Sequence, residues 1–183
     1  MSALKMMKAA LANFCKDTKG VVTVEAVILL PLLFWALAAV AIFFDGFRTK
    51  SQAEKAAFTV ADMLSRETNS INATYVTNTR TLFDELASSN SPSSIRISSI
   101  RWNSNNAQYE VTRSRERGDH FAELNQSDVV WLAGRLPTLA AGDILILVET
   151  HNRFNPIIDV GLGNVDIDTF VFTRPRGPQL IIE

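Results

Sequence analysis

Hydrophobic positions change their rhythm twice along this chain. From Val21 to Phe44 they are nearly continuous, with 21 of 24 residues apolar and only Thr23, Glu25 and Pro31 interrupting. At about 1.5 Å of rise per residue, a helix over this run covers about 36 Å, more than the roughly 30 Å hydrocarbon core of a bilayer. A helix in a soluble core usually carries a polar stripe, and Ala26 to Phe44 has none. The pattern therefore predicts a membrane-spanning helix.

After Phe44 the period becomes helical and amphipathic. Ala53, Ala57, Val60, Ala61 and Leu64 fall at i, i+4, i+7, i+8 and i+11, one face of a helix. The spanning helix is expected to continue as an amphipathic stem, with a break at Gly46. A second helix is expected from Ala73 to Ser88 with Tyr75, Leu82, Phe83 and Leu86 inward, followed by a serine-rich loop to Ser94. From Ile95 the period is two: Ile95 and Ile97, then Ile100 and Trp102, the phase slipping at Ser98-Ser99 as a bulge would make it slip. A turn at Asn103 to Asn106 and a strand through Tyr109 and Val111 complete a hairpin. A short helix is expected from Asp128 to Arg135, then strands at Ile144 to Thr150 and Val165 to Thr173. Helices followed by strands predict an α+β fold, a long helix packed on a small antiparallel sheet. The corresponding organisation is a basic leader (1–20), a transmembrane helix (21–44), a helical stem (45–89) and an α+β domain (90–183).

Charge gives the span a direction. Lys5, Lys8, Lys16 and Lys19 precede it against one acid, Asp17, whereas Asp45 to Lys50 mixes signs. Positive residues prefer the cytoplasmic side, so the N-terminus is expected in the cytoplasm and the C-terminal part beyond the membrane. A basic start before an apolar run also fits a secretory signal, and Ala39-Val40-Ala41 offers a small-x-small cut before Ile42. The run, however, continues through Phe44 and exceeds the usual seven-to-fifteen-residue signal core. Cys15 is the lone cysteine, so no disulfide forms within the chain.

Candidate chemistry is sparse. His120 and His151 are the whole histidine supply and stand in no metal-binding spacing, so solvated or core histidines are expected and no metal or cofactor. Gly161-Leu162-Gly163 lacks the third glycine and the flanking strand and helix of a dinucleotide loop. Arg113, Arg115 and Arg117 share a strand face, but Asp45 onward holds 14 basic and 17 acidic residues, which argues against nucleic acid. No enzyme and no small-molecule substrate are expected.

Glu25 is the informative residue. A charge at mid-bilayer costs about 2.5 to 3.5 kcal/mol on insertion scales, although five residues into the run it lies near the headgroups. Lys19-Gly20 closes the basic segment, and Glu25 is the fifth residue from Val21. That arrangement resembles the signal of type IV pilins and pseudopilins, which a prepilin peptidase cuts after a glycine, leaving glutamate fifth in the mature chain. Read further, Thr18-Lys19-Gly20-Val21-Val22-Thr23-Val24-Glu25-Ala26-Val27 followed by Leu29-Leu30-Pro31-Leu32-Leu33 resembles the TadE-like family, small single-pass proteins of the tight-adherence (Flp) pilus system. Asp62-Met63-Leu64-Ser65-Arg66 and Arg174-Pro175-Arg176 are weaker echoes of the same family. The resemblance implies processing between Gly20 and Val21, and an assembly role for Glu25 and Pro31. Its partners would be the membrane, the peptidase, other pilins or pseudopilins and the assembly platform. The place would be the bacterial inner membrane with a periplasmic C-terminal domain, either in the fibre or among the proteins that build it. A membrane-anchored periplasmic binding or scaffold module, not processed, is the alternative. Removing Met1 to Gly20 would take away four lysines, one acid and the cysteine, leaving 14 basic and 18 acidic residues.

Overall fold

The computed structural model describes residues 13, 21–88, 91–177 and 182. The chain divides into two units, Met1–Ile42 and Phe43–Glu183, and its class is α+β. Helix α1, Val21–Ser65, runs for 45 residues with Pro31 inside it. The break expected at Gly46 does not occur, because that glycine has a packing use. A Cβ placed there would come within 3.4 Å of the Phe154 ring, so the missing side chain makes room for the aromatic.

In the second unit, Ala53, Ala57, Val60, Ala61 and Leu64 of α1, the positions that the 3.6-residue period picks out, are buried, and Ala56 is buried beside them. The end of α1 is held by a segment more than a hundred residues later. Arg176 donates its backbone N–H to the Ser65 carbonyl at 2.7 Å, satisfying one of the carbonyls that a helix end leaves unpaired. Asp62 pairs with both Arg66 and Arg176 at 2.9 Å, and these guanidiniums sit where the helix dipole favours positive charge.

Helix α2, Ala73–Ala87, begins at Asn72, whose side chain accepts from the Tyr75 N–H, and ends at Ser88 in a left-handed conformation. Its buried row is Val76, Thr79, Phe83 and Ala87. Of the four residues expected inward, only Phe83 is buried; Tyr75 is half-buried, and Leu82 and Leu86 are 36% and 41% exposed. Thr79 joins the core because its hydroxyl donates to the Tyr75 carbonyl within the helix at 2.8 Å, so burial leaves no donor unpaired.

The four strands are β1 (Ser94–Asn103), β2 (Gln108–Arg117), β3 (Ile144–Phe154) and β4 (Val165–Thr173), in the order β2-β1-β3-β4. Every pairing is antiparallel, and the β1–β2 register shifts between Ser99 and Ile100, where the sequence phase slips. On one face Ile100, Leu145 and Leu147 pack with Leu124, Leu136, Leu139 and Val129. Val129 belongs to helix α3, Gln126–Leu132, which passes into a 3-10 turn at Ala133–Arg135. The other face buries Ile95, Ile97, Ile146, Val148 and Val171, with α2 lying against β1 and β2. Both faces of the sheet are thus covered. Two of the three arginines of β2 are tied within the chain: Arg115 pairs with Glu123 at 2.7 Å, and Arg117 donates to the Thr77 hydroxyl at 2.9 Å.

Candidate functional site

The first candidate lies at the start of α1. Gly20 falls outside the described residues; Val21 is the first residue of the helix, Glu25 stands on its second turn and Pro31 lies inside it. Val21 and Glu25 are four residues apart, about 6 Å along the axis. Around them Val22, Val24, Val27 and Ile28 are exposed, and the most apolar 18-residue window of the helix is 0% buried within the chain. Among the described residues nothing covers that surface, and its length and composition suit a membrane crossing near the N-terminus. Pro31 supplies no N–H to the Val27 carbonyl, a gap that membrane helices tolerate when neighbours supply a donor.

The chemistry this site allows is electrostatic. Glu25 is an exposed carboxylate in an apolar surface, and its cost falls if it reaches water or meets a positive charge. Cutting after Gly20 would create such a charge, the Val21 amine. Within one helix the two groups are one turn apart, the spacing at which Asp62 and Arg66 pair, and adjacent copies packed side by side would bring the same two charges together.

The second candidate was not visible along the sequence. His120 and His151 stack with ring centroids 3.5 Å apart and planes 2° from parallel. His151 Nδ1 lies 2.6 Å from Asp168 Oδ1, and His120 Nε2 lies 3.8 Å from the same oxygen. His151 and Asp168 face each other across the β3–β4 ladder. The cleft beside them has a volume of about 610 Å³, and its walls include Arg80, Ser94, Gly118, Asp119 and Asn155. Asp166, two residues along β4, is held by the Arg153 guanidinium at 2.6 Å, which keeps its carboxyl below the usual range. No local spacing could have revealed this cluster, because its three members come from a loop and two strands.

A third juxtaposition concerns the two segments that echo the TadE-like pattern. Asp62 and Ser65 on one side and Arg176 on the other meet directly, through an ion pair at 2.9 Å and a backbone hydrogen bond at 2.7 Å. Just beyond, Glu67 turns back on the chain, accepting from the backbone N–H groups of Thr68 and Asn69 at 3.0 Å. The Asn69 N–H, and after it the Tyr75 hydroxyl, lower the Glu67 carboxyl from its ordinary range. Partial burial, and then the nearby Glu67, push the Tyr75 phenol up to about 12.

No family model, curated protein or solved structure matches this chain.

Proposed function

We propose that this chain is a single-pass, pseudopilin-like protein of TadE-like type, cut after Gly20 by a prepilin peptidase and used in building or starting a tight-adherence pilus. The observation that carries the reading is the run Gly20-Val21-Val22-Thr23-Val24-Glu25 at the head of a long helix whose most apolar stretch the described residues leave uncovered. Cleavage creates a positive amine at Val21, and the Glu25 carboxylate of a neighbouring copy meets it one turn along the axis. In a low-dielectric setting, a packing register that leaves either charge alone is penalised, so the pair fixes how helices stack. The helix past Phe44 acts as an amphipathic stem that carries the sheet outside the inner membrane. The meeting of the Asp62–Arg66 and Arg174–Arg176 segments supports the same reading, since two family-like pieces far apart in sequence form one structural unit.

Sequencing the N-terminus of the protein from peptidase-positive cells tests the proposal. Val21 is the expected first residue, and Gly20→Leu should abolish the shortening. A first residue of Ile42 would mean secretion after signal cleavage. Met1 retained in cells that process other prepilins would leave an anchored periplasmic binding or scaffold module as the better reading.

A further inference from the structure

The histidine pair carries an inference independent of the pilus reading. His151 sits on β3, a strand flanked on both sides, and is buried, while Asp168 stands opposite it on β4. His120 arrives from the loop after β2, which three devices hold in place. Gly118 has φ +108°, and a Cβ there would come within 2.2 Å of Ser94 Oγ and 2.8 Å of Ser94 Cα, so only glycine lets the loop fold back onto β1. The His120 N–H then donates to Ser94 Oγ at 3.2 Å. Finally, Phe121 sets its edge against the His120 ring with centroids 5.0 Å apart. Arg96 covers Phe121 at 5.0 Å and donates to the Ala122 carbonyl at 2.9 Å. The loop is built to bring this imidazole to His151.

A plain hydrogen-bonded trio is the simpler account, and the distances do not fit it. His151 bonds the carboxylate, but 3.8 Å from His120 Nε2 to the same oxygen is too long for a hydrogen bond. Two imidazoles therefore face one acceptor that only one of them uses. A ligand atom from each of His120, His151 and Asp168 lies within 4.8 Å of the others, whereas ligands at about 2.0–2.2 Å around one tetrahedral ion stand about 3.4 Å apart, so small side-chain movements bring the set together.

We propose that His120, His151 and Asp168 bind one divalent transition-metal ion of the zinc class. Two imidazole nitrogens and one carboxylate oxygen suit zinc, cobalt or nickel, whereas magnesium and calcium prefer all-oxygen shells. Three protein ligands leave a position for water from the open cleft. Stacked rings point their nitrogen lone pairs in parallel, so binding requires them to splay. His120, on the exposed loop, swings, while His151 stays with its strand. The ion sits between His151 Nδ1 and Asp168 Oδ1, which move apart from 2.6 Å to admit it, and binding requires that Nδ1 carry no proton. In a chain with one cysteine, the ion pins the loop after β2 to β3 and β4, a tie that spans the sheet past β1.

The test uses the full chain in detergent, without a polyhistidine tag and stripped by chelator. Titration with Zn²⁺ should show one ion per chain, with none bound from Mg²⁺ at the same concentrations. Saturating Zn²⁺ should raise the Tm by on the order of 5 °C. His120→Ala and Asp168→Asn alter exposed side chains, and each should weaken Zn²⁺ binding at least about tenfold, as the loss of one of three ligands implies. Because the chain holds only two histidines, their ring proton resonances in the unaltered protein provide a readout that needs no variant. Both sets should shift together as Zn²⁺ is added. Histidine resonances that stay unmoved at saturating Zn²⁺, or binding that persists unchanged in the His120→Ala, Asp168→Asn double variant, would overturn the proposal.

Discussion

Replacing Gly118 by alanine tests how the loop after β2 is held. Two costs apply at this position. A side chain at positive φ costs an L-residue about 1–2 kcal/mol, offset by about 0.4–1 kcal/mol because alanine also restricts the unfolded chain. The second cost is steric: the new Cβ would meet Ser94 at its Oγ (2.2 Å), Cβ (2.7 Å) and Cα (2.8 Å). Rotating the hydroxyl relieves only the first contact, so the loop and β1 must separate, at about 1–3 kcal/mol for overpacking of this kind. The expected loss is about 2–4 kcal/mol. Gly142 provides the control, since its φ of +81° brings the backbone cost while nothing lies within 4 Å of its would-be Cβ; Gly142→Ala should lose only about 0.5–1 kcal/mol. Urea titration of the detergent-solubilised chain, followed by the far-ultraviolet signal of the sheet, separates the two. With a slope of about 1.5–2 kcal/mol/M, Gly118→Ala should lower the midpoint by about 1–2.7 M. Equal shifts for the two variants would show that close approach to Ser94 has no energetic weight, and the account of how His120 is positioned would fall with it.

Glu25→Ala should leave processing at Gly20 intact and reduce recovery of the protein with its assembly partners, measured by crosslinking in the membrane; recovery equal to the unaltered protein would remove the register role given to this carboxylate. The pairing of Glu67 with Tyr75 predicts a pH response with a definite sign. A depressed carboxyl contributes stability above its unfolded value, near the ordinary 4.5, and loses it as pH falls through the lower folded value. A raised phenol contributes stability below its ordinary 10 and loses it as pH climbs toward about 12. The chain has two tyrosines, so Tyr75→Phe should remove the late part of the phenolate absorbance rise, near pH 12, and raise the Glu67 carboxyl as followed by NMR. An absorbance titration unchanged in its late part would contradict the assignment.

Much of the fold can be read along the chain because its signals are local. The nearly continuous apolar run marks the first part of α1 before any contact is known, and Ala53, Ala57, Val60, Ala61 and Leu64 keep their period because a helix repeats every 3.6 residues whatever it packs against. The phase slip near Ser99 reports the bulge in the same way, since side-chain alternation cannot shift unless the backbone does. Glu25, Gly20 and Pro31 stand out because polar, flexible and helix-breaking residues are conspicuous in an apolar field.

Other features depend on what lies opposite a residue, and periodicity does not encode that. Leu82 and Leu86 look inward by composition, yet α2 turns Val76, Thr79 and Phe83 to the core, because the sheet it meets selects the face. Gly46 reads as a helix breaker until the Phe154 ring appears beside it. The strand order β2-β1-β3-β4 is likewise set by long-range pairing. The histidines make the point most fully. In the sequence they are two isolated residues with no motif spacing, and only the β3–β4 register and the return of the loop at Gly118 place both rings at one carboxylate. Sequence determined where the chain can enter a membrane, because hydrophobicity is summed along consecutive residues. Tertiary structure alone decided where its titratable groups converge, because convergence depends on which strands pair and in what register.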